Sequence, residues 1–229
     1  MKNLIKINVV ALIMLISFNS FAQKVSGGLF IGPNVSWYTL DTKVAQNKGV
    51  KLGYMFGATM DFNLVENFAI STGINFNSMG GSQWYEHGVH NLTRQDLGDI
   101  SLGPSSTIKF KMDYIELPVG LKGKTNEIGY MTYFLKAGVT PGVNIKARAD
   151  VTVDSNDIIT AERKLFNLGW HIGGGFEWSL SGSTRLLTEV VYTGGILDTD
   201  KIEVLREDNT STNVNSKLNN IALKVGVIF

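Results

Sequence analysis

The chain has 229 residues, of which 44% are hydrophobic and 18% are charged, and its formal net charge is +1. Because there is no basic excess to neutralise phosphates, we do not expect a nucleic-acid partner. The sequence contains no cysteine, which excludes disulfides, thiolate metal sites and cysteine nucleophiles within it.

The N-terminus has the pattern of a secretory signal peptide. Two lysines precede an apolar run over residues 7–18, and Ser20 and Ala22 are small residues at the positions before a cleavage site. The run is about a dozen residues long, shorter than the roughly 18 that a spanning helix needs. We therefore expect residues 1–22 to be a cleaved signal peptide, not a retained anchor, and residues 23–229 to form a single exported domain.

The first three segments of the exported chain alternate between apolar and small or polar residues, which is the pattern of a strand with two different faces. They cover residues 25–38, 52–64 and 68–78. In the second segment one face holds Tyr54, Phe56, Ala58, Met60, Phe62 and Leu64, and the other holds Gly53, Gly57, Thr59, Asp61 and Asn63. Each segment alone is a weak signal, so we rely on their number and spacing.

The fourth segment, residues 108–123, changes its pattern part-way along. Towards its end the apolar face consists of Ile115, Leu117, Val119 and Leu121. Before Asp113 the parity is reversed, because Phe110 and Met112 are apolar and the lysines lie at 109 and 111. We expect either a β-bulge near Asp113 or the point at which the strand leaves a membrane.

Four further segments cover residues 131–143, 168–180, 184–193 and 217–229. In the last one, Ile221, Leu223, Val225, Val227 and Phe229 share a wholly apolar face, and the opposite face carries Lys224, an amide and small residues. This arrangement is typical of a strand with lipid on one side and a crowded polar interior on the other.

The connections between the eight segments alternate in length. Residues 65–67, 124–129 and 181–183 form short connections, and residues 39–51, 79–107, 144–167 and 194–216 form long ones. Short turns on one rim and long loops on the other are typical of bacterial outer-membrane barrels, whose turns are periplasmic. The sequence therefore predicts an all-β fold, an eight-stranded antiparallel transmembrane β-barrel with up-and-down topology, in the cell outer membrane.

A soluble lipocalin-like barrel or sandwich is the alternative to a membrane barrel. In it the apolar face would point inward, and aromatic residues such as Trp170, Phe176 and Trp178 would form a core. We favour the membrane barrel because the aromatic residues gather near strand ends, as in interfacial girdles, and because the signal peptide indicates export.

The predicted inward faces carry equal numbers of acidic and basic residues. Eight strands enclose only enough space for side chains to fill, so we do not expect an open pore. The predicted lumen charges are Asp61, Glu116, Glu177 and Glu189 together with Lys122, Lys136, Arg185 and Lys224. Since buried charges are costly unless paired, we expect a salt-bridged network that fixes strand register, with Glu116–Lys136 as one cross-strand pair. A proton or ion relay is the alternative function of the same residues.

Several short motifs resemble the PorT-like family of small outer-membrane β-barrels. They are DYIELPVGLK at residues 113–122, the glycine-rich first strand GGLFIGPNVSW, the stretch LLTEVVY and the aromatic terminal strand. The resemblance implies an outer-membrane location and a barrel fold. Some members of that family are linked to type IX secretion and gliding, and most have no assigned activity.

The terminal aromatic, Phe229, resembles the insertion signal by which barrels are recognised for assembly into the outer membrane. We therefore expect three kinds of partner: outer-membrane lipid, the barrel-assembly machinery during biogenesis, and other envelope proteins.

No pattern in the sequence amounts to a catalytic, cofactor or metal site. His87 and His90 lie in the second long loop near acidic residues, but spacing fixes no third ligand, so we favour a solvated loop. The acidic loops lack EF-hand spacing. His171 is the only histidine inside a segment, and an outer-membrane lipid hydrolase would need a serine and an acid beside it.

We therefore predict a non-enzymatic barrel without cofactors that acts as a structural or interaction module, such as a subunit of an envelope or type IX secretion-related complex. The alternative is a small porin-like ligand-binding or transport barrel that uses its outer loops. A lipid hydrolase is the least favoured function.

Overall fold

The computed structural model describes residues 25–41, 45–86, 89–94, 98–102, 105–151, 158–161, 164–199, 202–205 and 211–229. The predicted signal peptide lies outside these residues. Among the described residues, no helix is long and apolar enough to cross a membrane.

The described ranges form antiparallel strands joined by turns and short connections. The strands are β1 (Val25–Leu40), β2 (Ala45–Val65), β3 (Phe68–Tyr85), β4 (Val89–Arg94), β5 (Gly98–Leu102), β6 (Ser106–Glu116), β7 (Val119–Lys124), β8 (Met131–Val151), β9 (Ile158–Ala161), β10 (Phe166–Ser181), β11 (Thr184–Gly195), β12 (Ile202–Leu205), β13 (Ser211–Val214) and β14 (Ser216–Ile228).

Eight wall positions close into a ring, which confirms the predicted barrel. The order around the wall is β1, β2, β3, β6 with β7, β8, β10, β11 and β14. Strands β6 and β7 form one interrupted wall strand, since both pair with β3 on one side and β8 on the other. The ring closes where β14 pairs with β1, from Gly28 opposite Ile228 to Leu40 opposite Ser216. Neighbouring strands in the wall are neighbours in the chain, so the topology is up-and-down.

The short connections occur where they were predicted, but the long connections are mostly strand. Glu66 and Asn67 form one turn, and Gly182 and Ser183 form another. At the other rim, however, β1 continues to Leu40 and β2 begins at Ala45. Strands β4, β5, β9, β12 and β13 pair with one another, and β9 pairs with β8, above that rim. The connections predicted at 39–51 and 144–167 are therefore partly strand, because backbone pairing continues beyond the predicted ends of the segments.

The lower part of the wall has the predicted faces. Outward residues are apolar and exposed, for example Leu52 at 77% and Leu135 at 70%. Inward residues between them are glycine, polar or charged. The soluble alternative does not describe this part of the barrel, since Trp170 and Trp178 lie outside and not in a core.

The upper part of the wall has the opposite arrangement. Its interior is a hydrophobic cluster formed by Tyr38, Ala45, Met79, Tyr85, Ile108, Phe110, Met112, Tyr114, Ala149, Val214 and Leu218. The rings of Tyr38 and Phe110 pack edge to face with centroids 6.0 Å apart. Its outer surface is polar, with Lys111 and Arg148 exposed. The reversed parity before Asp113 thus arises because the strand has left the membrane there.

A β-bulge lies at the boundary between the two parts. Asp113 is opposite Lys146, whereas Tyr114 is opposite Asn144, so Ile145 is the extra residue. The bulge was predicted near Asp113, and it occurs in that pair, but the extra residue belongs to β8. We call the wall on the loop side of the Asp113–Lys146 pair the outer half, and the rest the membrane half.

Candidate functional site

The lumen of the membrane half holds a network of ion pairs near the short-turn rim. Lys122 Nζ lies 2.5 Å from Asp61 Oδ2 and 2.5 Å from Glu177 Oε1. Arg185 Nη1 lies 2.5 Å from Glu177 Oε2. Because these side chains come from β2, β7, β10 and β11, the network crosses the lumen and connects distant parts of the wall.

The network also contacts an aromatic ring. The ammonium of Lys122 lies over the Phe134 ring, 4.4 Å from its centroid, and both side chains are buried. A desolvated cation over a ring gains further electrostatic stabilisation. The lumen near the short-turn rim is therefore filled by paired charges and an aromatic side chain.

A second ion pair lies deeper in the lumen and differs from the predicted one. Lys136 Nζ lies 2.7 Å from Glu189 Oε1 and donates a hydrogen bond of 2.9 Å to Glu189 Oε2. A side chain at Gly173 would approach Glu189 Oε1 to 2.8 Å, so this glycine leaves space for the carboxylate.

The predicted Glu116–Lys136 pair was wrong. Glu116 is opposite Gly142 on β8, six residues from Lys136, which corresponds to ~20 Å along a strand at ~3.3 Å per residue. The Asn77 side-chain amide instead donates hydrogen bonds of 3.1 and 3.2 Å to the two Glu116 oxygens. Asn77 in turn accepts a hydrogen bond of 2.6 Å from Asn34. Glu116 is thus held by the Asn77 amide of β3, which is itself bonded to Asn34 of β1.

These lumen amides were not predicted as site residues. Asn34 and Asn77 are both buried, and each occupies an inward position of its strand. Their sequence signal was an amide at the inward parity, which is the same signal that identified the charged residues. The predicted network contains only ionisable side chains, so it lacks these amides.

Lys224 and His171 lie at the centre of the lumen. Lys224 is 4% exposed, and its ammonium lies 4.4 Å from the centroid of the Phe30 ring. Among the described side chains, no carboxylate forms a salt bridge with Lys224. His171 Nδ1 shares a hydrogen bond of 2.8 Å with Thr140 Oγ1. The structure therefore places all eight predicted charges on inward faces, but it leaves Lys224 outside the ion pairs.

Two small cavities adjoin this central cluster. Both are lined by Lys136, His171 and Lys224, and each has a volume of about 10 Å³. A volume of about this size holds one water molecule. Each of these two cavities is therefore too small for an organic ligand.

Several predicted loop residues cannot be placed in a site. His87 and Asp96 lie outside the described residues, and only the backbone of His90 is described, opposite Glu203 of β12. Within the described part of the chain, no group of three or more His, Cys, Asp or Glu residues could hold a metal ion.

The terminal Phe229 is fixed by the closing strand pair. Its backbone amide donates a hydrogen bond of 2.7 Å to the Gly27 carbonyl, and its side chain is 58% exposed. The ring thus lies on the outside of the barrel at the short-turn rim.

A family model described as outer membrane protein beta-barrel domain matches residues 21–201. The chain belongs to this family. The protein is therefore an integral β-barrel of the outer membrane of a Gram-negative cell.

Solved structures of outer-membrane barrels are similar to the chain at low sequence identity. Neisserial surface protein A is 13% identical, with 87% of this chain and 95% of that chain covered and a TM-score of 0.42. OprG from Pseudomonas aeruginosa is 10% identical, with 88% and 94% covered and a TM-score of 0.47. The outer membrane protease OmpT from Escherichia coli is 8% identical, with 90% and 96% covered and a TM-score of 0.46. No curated protein matches the sequence.

Proposed function

We propose that the protein is a non-enzymatic barrel that serves as a structural or interaction module of the cell envelope. The observation that carries this proposal is the filled interior. Ion pairs around Lys122 occupy the periplasmic side of the lumen, and an apolar cluster around Phe110 occupies the outer half.

A filled interior argues against transport through the barrel. Water or solute would have to pass the paired charges, the amides of Asn34 and Asn77, and then the packed apolar cluster. Close-packed cores leave few voids larger than a water molecule. The alternative function, a small transport barrel, would require a large rearrangement of the interior side chains in both the membrane half and the outer half.

The extra strands above the loop rim are the surface that we assign to partners. Strands β4, β5, β9, β12 and β13 extend the sheet beyond the barrel wall. Paired strands that project from the membrane can present a contact surface to other envelope proteins. The resemblance to PorT-like barrels supports an envelope or type IX secretion-related complex as the assembly in which this surface acts.

The lumen histidine offers little support for a hydrolase. His171 bonds to Thr140 of the neighbouring strand and lies in the interior of the wall, away from the lipid headgroups. A lipid hydrolase would need a histidine that activates a nucleophile within reach of its lipid substrate. We therefore assign His171 a packing role.

The two ends of the chain have proposed roles in biogenesis. Residues 1–22 would direct export and be removed, residues 23–229 would form the mature domain, and Phe229 would act as the insertion signal for the barrel-assembly machinery. The exposed ring of Phe229 at the periplasmic rim is accessible for such recognition.

The test compares the mature protein with a variant in which residues 202–214 are replaced by a short Gly-Ser linker. We expect no single-channel conductance from either protein in planar bilayers. We also expect a stoichiometric envelope partner to co-purify with the native barrel and to be lost from the linker variant. Steady conductance from the native barrel would overturn the proposal, as would a membrane preparation in which the two proteins retain the same set of partners.

A further inference from the structure

A group of exposed basic residues lies on the outside of the barrel directly above its apolar band. The basic patch consists of Lys109 and Lys111 on β6 and Lys146 and Arg148 on β8. All four side chains are exposed. The two strands are hydrogen-bonded neighbours, so the four residues share one surface.

Strand register places the patch at a defined height. Ile115 is opposite Val143, and both are exposed apolar residues of the membrane half. Lys111 is opposite Arg148 in the outer half. Lys111 is four residues from Ile115, which corresponds to ~13 Å along the strand. On β8, however, Lys146 directly follows the exposed apolar Ile145, so the cations begin within one side-chain length of the apolar band, at the level of lipid headgroups.

The bulge at Ile145 creates this arrangement on β8. Val143 and Ile145 both point outward, and Lys146, the next residue, also points outward. Beyond the bulge the even-numbered residues are therefore outside, and Ala149 lies in the apolar cluster. If the alternation of β8 continued through Lys146 without a bulge, Arg148 would point inward.

The four basic residues of the patch outnumber the acidic residues opposite them. Among the described side chains, none of them forms a salt bridge with a carboxylate. Two acidic residues are opposite members of the patch in the backbone register, Asp113 opposite Lys146 and Asp150 opposite Lys109. At the other side of the barrel, by contrast, Lys217 Nζ lies 3.5 Å from Asp41 Oδ2. Four basic residues against two acidic ones thus leave the patch with a net positive charge.

We propose that the basic patch binds the phosphate groups of the phosphorylated glycolipid in the outer leaflet of the outer membrane. Arginine and lysine are the side chains that proteins use for phosphate, and arginine can do so with two parallel hydrogen bonds. Basic residues next to an apolar band are attracted to anionic lipid headgroups, and their long side chains extend along the interface.

The periplasmic rim of the barrel carries exposed charges of the opposite sign to those of the basic patch. The described periplasmic turns carry Glu66 and Glu127 as exposed charges, and Lys124 donates a hydrogen bond to Asn63 inside the lumen. An anionic lipid of the periplasmic leaflet would meet acidic side chains there. The distribution of charge thus favours the outer-leaflet glycolipid as the occupant. This inference requires only the outer-membrane location and not the proposed interaction function.

The test measures lipid binding by the mature barrel folded in zwitterionic detergent. The variant Lys111→Gln with Arg148→Gln removes two cations of the patch, and Lys164→Gln with Lys217→Gln removes two cations elsewhere at the same rim. Folding of each protein is checked by its gel mobility before heating. Thermal unfolding is then recorded with added phosphorylated glycolipid and with the same glycolipid after enzymatic removal of its phosphates.

We expect the phosphorylated glycolipid to raise the unfolding temperature of the native protein and of the control variant equally. The patch variant should bind it about tenfold more weakly or worse, since each basic residue near a lipid surface contributes about 1 kcal/mol. The dephosphorylated lipid should have little effect on any of the proteins. Equal binding by the patch variant, equal binding of the dephosphorylated lipid, or an equal effect of phosphatidylglycerol micelles would each overturn the proposal.

Discussion

The membrane half and the outer half of the barrel use the same strands but bury opposite kinds of side chain. In the membrane half, Leu121 faces outward and Lys122 faces the lumen. In the outer half, Phe110 faces the interior and Lys111 faces outward. Each half follows its surroundings, because lipid accepts apolar side chains and water accepts charged ones.

This difference shows that one sheet can pass from lipid into water without changing its backbone pairing. Strand β6 keeps the same inward positions throughout, since Ile108, Met112 and Glu116 are all buried. Only the chemistry of the inward residues changes along it. Strand β8 makes the same transition by a bulge at Ile145, which exchanges its inward and outward positions.

Insertion of one alanine between Ala147 and Arg148 should have the largest effect on the contrast between the halves. The added residue shifts the alternation of β8 by one beyond the bulge, so Arg148 would turn towards the apolar cluster and Ala149 away from it. An unpaired charge in a core is very costly, and we expect the variant not to reach the folded state. Folding yield in lipid vesicles, measured by gel mobility before heating, tests this. Insertion of one alanine after Glu127, between β7 and β8, is the control, and equal yields for the two insertions would contradict the prediction.

The bulge also marks the limit of what the sequence could predict. Alternation has a period of two and is a local property, so the strands, their faces and the inward positions of Glu177 and Glu189 followed from the sequence. The bulged strand could not be identified, because the parity change at Asp113 looked like a change within its own strand. In fact the extra residue lies on β8, which the register alone reveals.

The ion pairs across the lumen could not be predicted from the sequence either. The sequence places Lys136 and Glu116 on neighbouring wall strands. How far apart the two residues lie along the wall depends on the stagger between those strands. Lys136 reaches Glu189 because Gly173 has no side chain in the space between them. The apolar core of the outer half was missed for a related reason, since its strands were interpreted as loops wherever the membrane pattern ended.

Replacement of Lys122 by methionine should be the most damaging single substitution in the membrane half. Asp61 would lose its ion-pair partner, and Glu177 would keep only Arg185. Breaking a buried ion pair by removing one partner costs about 3–5 kcal/mol. Urea unfolding in lipid vesicles measures the loss, with exposed Lys48→Met as the control. A loss no greater than that of the control would show that the network contributes no stability.

Exchange of outward residues between the halves should have unequal effects. Leu121→Lys places a cation on the lipid-facing wall, where such substitutions cost about 2–4 kcal/mol near the middle of the bilayer. Lys111→Leu is the reverse change in the outer half, and we expect stability to stay close to that of the native protein because the side chain is exposed to water. Urea unfolding in vesicles compares the two. Similar losses for both variants would mean that Leu121 and Lys111 lie in the same surroundings.

The smallest predicted effect is a difference in stability loss between valine substitutions at two isoleucines of β6. Ile108 is fully buried in the outer half, whereas Ile115 is 41% exposed on the lipid-facing surface. Ile108→Val leaves a cavity of one methyl group in a packed core and should cost about 0.5–1.5 kcal/mol. Ile115→Val should cost less, because lipid chains are fluid and fill the space that the methyl group leaves. If the valine at position 115 proved the more damaging in vesicles, the packed core of the outer half would not be the more rigid of the two apolar environments.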